Sequence, residues 1–373
     1  MANYTAIAKP KAHFDVQTYA GSSSAKTITG VGFKPDLVWT KDRTEAHSWG
    51  CYDSTRGIKK WLKLDAVTSV NNNSDSGTID ASLTAFTSDG FTIATMSSDP
   101  IGNKNGNQFA TWLWKANGGT TSSNSDGSIT STVQANATAG FSIVTYTGTG
   151  SAGTIGHGLG VAPKMILIKA MNNNSSWAVG HFDTGITSDP ATDHYRLDTT
   201  SGSMDSNQYW NDTMPTSSVF SVGPDTTNGE ANYNTWTYVA YCFAEVRGFS
   251  SIGTYHGVAD NANGPFIYTG FRPSMVIIKR TDGTENWQLA DIARAKIEKD
   301  GTQGTQGNTT ECKLLINATT AENSTSGDID LYSTGFKPRD TDGIHNWTDY
   351  KYIYYAVAEN SIVGSNGTVG LAY

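Results

Sequence analysis

Three stretches of the chain carry an apolar run that begins at a proline and ignores the alternation of a half-exposed strand. They are residues 32–41 (GFKPDLVWTK), 160–169 (GVAPKMILIK) and 270–279 (GFRPSMVIIK). Consecutive apolar residues such as Met165, Ile166, Leu167 and Ile168 predict a strand covered on both faces, or a central sandwich strand. Proline suits the first residue of such a strand and not its middle. A second recurring run is aromatic and β-branched: residues 109–114, 238–245 (YVAYCFAE) and 352–359 (YIYYAVAE). Turn dipeptides flank it at Asn105-Gly106, Asn228-Gly229 and Asp342-Gly343, which favour the positive φ of tight hairpins. Helical spacing is convincing only over residues 286–299 (NWQLADIARAKIEK), predicting one short helix.

These runs form part of a longer repeat. An opening motif reads FDVQTYAG at 14–21 and FSIVTYTG at 141–148, with a looser copy, IGTYHG, at 252–257. The proline-led run follows each motif's Tyr after about 16 to 18 residues. Each Pro is followed six residues later by Lys41, Lys169 or Lys279, and each Lys eight residues later by Trp49, Trp177 or Trp287. An Asp comes within about six residues of each Trp (Asp53, Asp183, Asp291). Ordered motifs at matched spacing, three times over, predict three copies of one supersecondary unit. The boundaries read as an N-terminal arm at 1–13, module one at 14–117, a Gly/Ser/Thr/Asn linker at 118–138, module two at 139–247, module three at 248–363 and a tail at 364–373. The linker composition predicts flexibility between modules one and two, while two and three should touch. The expected fold is all-β: three tandem β-sandwich modules of roughly seven to ten strands each, with little helix.

Composition agrees. Charged residues are scarce at 16%, with Gly, Ser, Thr and Asn in their place, residues that favour turns and weaken helices. Hydrophobic residues at 37% suffice for several small cores. The net charge of −8 and the lack of a basic stripe argue against nucleic acid as a partner. Residues 1–16 hold no apolar core of signal-peptide length and no stretch approaches membrane-spanning length, so the expectation is synthesis in the cytoplasm without Sec secretion or membrane insertion. Cys51, Cys242 and Cys312 are odd in number and widely spaced, which points away from zinc ribbons and disulfide frameworks and towards small buried hydrophobes.

The repeated positions are the candidate site. Lys41, Lys169 and Lys279 offer charges for a ligand carboxylate; the blander reading is a strand-end lysine that snorkels or pairs with the following Asp. Trp49, Trp177 and Trp287 offer flat faces to a sugar ring; the blander reading is a core plug. Asp340-Thr341-Asp342-Gly343 resembles part of a calcium loop but lacks its closing Glu, so a turn is expected. His181, Asp183, Asp193 and His194 could contribute to a metal site, yet the other modules lack these histidines, and no metal or cofactor is expected. No carboxylate pair, nucleophile elbow or P-loop stands out, so no catalytic residues are assigned and the chain is expected not to be an enzyme.

Residues 127–169 (GSITSTVQANATAGFSIVTYTGTGSAGTIGHGLGVAPKMILIK) and 111–119 (TWLWKANGG) resemble uncharacterised structural and tail-fibre-like proteins of marine bacteriophages. The likeness is tightest in module two and looser elsewhere, and it carries no catalytic motif. It implies a virion component without saying which part; the reading taken first is a protein exposed on the particle surface and contacting other virion proteins. Tail fibre or tail-tip comes first, with host-cell glycan as a further partner; capsid decoration and a tail-associated polysaccharide depolymerase are the alternatives. A homotrimer would suit a tail fibre, although nothing in the residues demands one. The chain shows no heptads or shaft. A carbohydrate-binding module of a secreted cellular protein fits less well without a signal peptide.

Overall fold

The computed structural model describes residues 5–22, 24–72, 83–94, 102–185, 189–260, 263–296, 309–310, 313–323 and 329–360. Each module is built on one antiparallel sheet with the aromatic run inside it. In module one, Gln108–Trp114 lies between Phe14–Ala20 and Leu37–Asp42, and Gly50–Asp53, Lys60–Lys63 and Asn71–Asn72 follow outward. In module two, Thr237–Phe243 lies between Phe141–Thr147 and Met165–Ala170. In module three, Lys351–Ala358 lies between Ser250–His256 and Pro273–Arg280. The register repeats as well: Leu37, Met165 and Met275 pair with Asp53, His181 and Asp291. A smaller second sheet covers one face of each large one: Lys26–Ile28 with Gly90–Ile93 and Leu83–Thr87, then Gly153–Gly156 with Val219–Val222. In module three, Ile267–Tyr268 heads a set of four short strands. The chain is all-β, with α-helix only at Asn207–Trp210 and Ile292–Lys296 among the described residues.

The reason the proline-led strands are apolar on both faces lies in how the modules meet. Alternate residues serve two different cores. Val38, Ile166, Ile168, Val276 and Ile278 face the small sheet of their own module. Leu37, Trp39, Met165, Leu167, Met275 and Ile277 face the other way, into one core shared by all three modules. Trp112, Tyr241 and Tyr355 from the three aromatic strands join it, as does Ile7 from the N-terminal arm. A side chain of this size is stabilised by about 1.5–3 kcal/mol on full burial. The three large sheets therefore lose much of their apolar burial if the modules separate.

Several expectations change accordingly. Residues 118–138 are not a flexible linker: Ser122–Asn124 and Ser131–Asn136 extend the sheet of module two, pairing outward from Phe141–Thr147. Turn-forming composition masks a strand alternation there, with Ile129 and Val133 buried. Modules one and two are packed together, not splayed. The N-terminal arm is held where modules two and three join, through the Ala6 N–H donating to the Arg247 carbonyl at 3.0 Å. The segment expected as one helix begins as a strand, Gln288–Asp291, because its residues complete a ladder with Pro273–Arg280. Only Ile292–Lys296 is helical, and 297–299 lie outside the described residues, as does the tail 364–373. Positive φ occurs at Gly106 and Gly229 but not at Gly343.

Candidate functional site

The three Lys–Trp pairs form a closed belt between modules. Each indole N–H donates to a backbone carbonyl of a neighbouring module. Trp49 reaches Leu315 in module three at 2.9 Å, Trp177 reaches Lys63 in module one at 2.8 Å, and Trp287 reaches Arg196 in module two at 2.9 Å. The lysines repeat the cycle. The Lys41 ammonium donates to the His47 carbonyl (2.7 Å) and across to Thr319 (3.0 Å). Lys169 donates to Ser175 and across to Ala66 (3.3 Å), and Lys279 to Glu285 (2.5 Å) and across to Thr200 (2.9 Å). Each Trp backbone N–H is taken by a side-chain oxygen from its own module: Asp65, Asp198 or Asn317. The direction is cyclic, one to three, three to two and two to one, which is the signature of quasi-threefold order within one chain.

All six residues are at most 1% exposed. The lysines do not snorkel, and the tryptophans offer no face to a sugar in this arrangement; they join modules. Burial pulls the ammonium of Lys41 and Lys169 down to about 8 and that of Lys279 to about 7, against the pull of nearby carboxylates such as Asp42, Asp198 and Glu285.

A charged network reinforces two of the joints. Arg56 pairs with Asp53 three residues before it and meets the Tyr241 hydroxyl of module two, which donates to Asp53 at 2.6 Å. Arg294 pairs likewise with Asp291 and reaches Glu322 at 3.0 Å, and Glu322 is also gripped by Arg43 of module one at 2.8 Å. Burial would raise the Glu322 carboxyl, but Arg294 and Arg43 hold it below its usual value. The register shows that the module-two counterpart of Asp53 and Asp291 is His181, four residues after its Trp, and not Asp183. Burial pushes the His181 imidazole down to about 4.

A second repeated set was missed by reading motifs alone. Asn103, Asn232 and Asn346 are fully buried, each six residues before the first aromatic of its closing run. Each side-chain oxygen accepts a backbone N–H (Ser22, Thr149, Val258), and each amide donates to two carbonyls. The hydroxyls of Tyr19, Tyr146 and Tyr255 donate to the carbonyl just before each Asn. The six-residue offset was present in the sequence, but Asn is common enough here to hide it.

Other candidate chemistry is sparse among the described residues. A cleft of about 340 Å³ opens between modules one and two, lined among the described residues by Arg56, Lys60, Val70 and Met171 with Thr and Asn side chains and no carboxylate. Asp42, Glu45 and His47 bring potential ligand atoms within 4.8 Å of one another. Their valence is met by protein: Asp42 accepts from the Thr44 and Glu45 backbone N–H groups and from Asn107, and Glu45 is paired with Lys104. Asp340 and Asp342 accept the backbone N–H two residues on, the turn expected of them. Alternation sends His181 and His194 to opposite faces of their sheet, where His194 stacks on Tyr209 at 3.5 Å. Cys51 and Cys242 are buried free thiols, pushed up to about 12 by burial; Cys312 lies outside the described residues.

Three copies of one sandwich, closed about a common core by a cyclic belt, define an all-β protein with the form of a trimer in a single chain. The chain belongs to the family described as domain of unknown function DUF7483, whose sequence pattern matches residues 9–361 and so spans all three modules. No curated protein and no solved structure matches it.

Proposed function

We propose that the chain is a non-enzymatic structural protein exposed on a bacteriophage virion, at a tail fibre or tail tip that meets the host surface. The observation that carries this reading is where the repeated residues go. The thrice-repeated Lys and Trp positions are spent on holding the modules together, leaving the module ends as the presented surface. A three-lobed body closed on one core suits such a position. One chain supplies the form that a homotrimeric tip would build from three, so we take it to work as a single copy. The resemblance of residues 127–169 to marine phage structural proteins supports the same assignment. Among the described residues, the cleft lining holds two cations and no carboxylate, so they offer a depolymerase no acid–base pair there.

The test is immunogold labelling of purified virions of the encoding phage, with antibody raised to this chain. Label on tail appendages supports the reading. Label spread over the head replaces it with capsid decoration, and chain that sediments only apart from particles overturns both.

A further inference from the structure

The turn leading into each central strand has one backbone form but two kinds of surface. After the buried Asn103, Asn232 and Asn346, the third residue on has positive φ in every module: Gly106 at 86°, Thr235 at 67° and Asp349 at 61°. Module one uses glycine, the unstrained choice. Modules two and three hold a side chain there, and a β-branched residue in the left-handed region is a true outlier. Strain of this kind gathers at binding sites.

The flanking positions divide the same way. In module one they are Lys104 and Asn107, tied to Glu45 and Asp42. In module two they are Tyr233 and Trp236, ring centroids 4.8 Å apart, and in module three Trp347 and Tyr350, 6.3 Å apart, each pair tilted. Trp236 is seated over Gly229, where an added Cβ would lie 2.0 Å from the ring, and the Arg280 guanidinium covers one face of Tyr350 at 3.4 Å. Trp347 is 47% exposed. Between the aromatics stand Asn234 and Thr235, or Thr348 and Asp349, all exposed. Each turn thus presents aromatic, polar, polar, aromatic on a rigidly held loop.

We propose that these two turns are binding sites for neutral pyranosides. A pyranose ring has an apolar C–H face and a rim of hydroxyls. A fixed aromatic pair takes the first, while amide, hydroxyl and carboxylate groups beside it take the second. The chain's net charge of −8 and Asp349 at one site disfavour anionic sugars. Because both turns belong to modules locked on one core, their separation is fixed, and a polymer with repeating residues gains avidity by spanning them. This deepens the reading of the chain as a host-surface protein.

The full chain is titrated with the methyl glycosides of glucose, galactose and mannose, followed by tryptophan fluorescence and by amide shifts in two-dimensional NMR. For at least one glycoside we expect binding on the order of millimolar per site, with shifts at 233–236 and 347–350 and none at 104–107. Trp236→Ala removes the first set and Trp347→Ala the second. Thr235→Gly and Asp349→Gly keep at least the native thermal midpoint while weakening binding by ~3-fold or more, which separates a binding role from a folding one. Silence with all three glycosides up to roughly a hundred times the expected dissociation constant, or shifts that survive both tryptophan replacements, overturns the proposal. The two readings fail separately. A tail-located chain blind to every glycoside sinks this inference alone, and a saccharide-binding chain absent from particles sinks the virion assignment alone.

Discussion

Acid should loosen this protein through two imidazoles of module two. His181 and His194 are 2% and 3% exposed, and burial holds both at about 4 against an ordinary 6.5. Asp183 pulls His181 upward and Lys164 downward, while Arg196 adds to the depression of His194. The sign follows from proton counting. Below 6.5 the unfolded chain takes up protons that the folded chain refuses, so stability falls as pH drops from 6.5 towards 4. One unit of pKa separation is worth about 1.4 kcal/mol, and integrating the proton uptake from about pH 7 to about pH 5 gives a loss of about 2 kcal/mol per imidazole and about 4 for the pair. That is a large share of the 5–15 kcal/mol typical of folded domains. His157 shifts in the same direction and adds to the loss. Asp15 and Asp65, raised by burial, gain protons on acidification and oppose it, so the difference between proteins is the quantity to read. Urea denaturation of wild type and of His181→Gln/His194→Gln at about pH 7 and pH 5 measures it. The wild type should lose about 4 kcal/mol more than the double variant. Parallel losses would refute the assignment of acid sensitivity to these two groups.

The shared core predicts that a fragment of residues 118–247 does not fold alone, since one face of its large sheet is left apolar and bare; a native-like circular dichroism spectrum with a cooperative melt would contradict this. Trp177→Phe keeps an aromatic ring but strands the Lys63 carbonyl, and should cost about 1–3 kcal/mol by urea denaturation, with Trp177→Ala nearer 3–5. Lys279, held at about 7, takes up fewer protons folded than unfolded above that value, so stability rises from pH 7 towards 8.5 by about 2 kcal/mol. Lys279→Met should flatten that rise relative to wild type, and an unchanged slope would mean the ammonium is not buried as described. Cys51 and Cys242 should resist alkylation until the chain unfolds, read by mass spectrometry of native and denatured samples.

The all-β class and the thrice-repeated strands were legible in the sequence because hydrophobic pattern and turn residues agree there. The meaning of the Lys and Trp positions was not. Their acceptors lie in other modules, as far as from Lys41 to Thr319, and no local pattern reports a contact of that range. An apolar run covered on both faces reads the same whether its outer cover is a second sheet or a neighbouring module. Residues 118–138 were hidden by composition, since Ser, Thr and Asn suit turns yet here alternate with Ile129 and Val133. At Gln288–Asp291 the ladder with Met275–Ile278 outweighs helix-favouring residues. Counting to the nearest Asp chose Asp183, whereas the strand register places His181 opposite Met165.

Serial fusion also frees the three lobes from identity. In a ring of separate identical subunits, one substitution is stamped on every copy, so a histidine at one joint means a histidine at all. Here Asp53, His181 and Asp291 occupy one structural address with different chemistry, as do Lys104, Tyr233 and Trp347. Selection can therefore specialise one lobe for charge and two for aromatic contact while the belt beneath stays in register. The chain keeps the mechanical benefit of symmetry and escapes its constraint on variation.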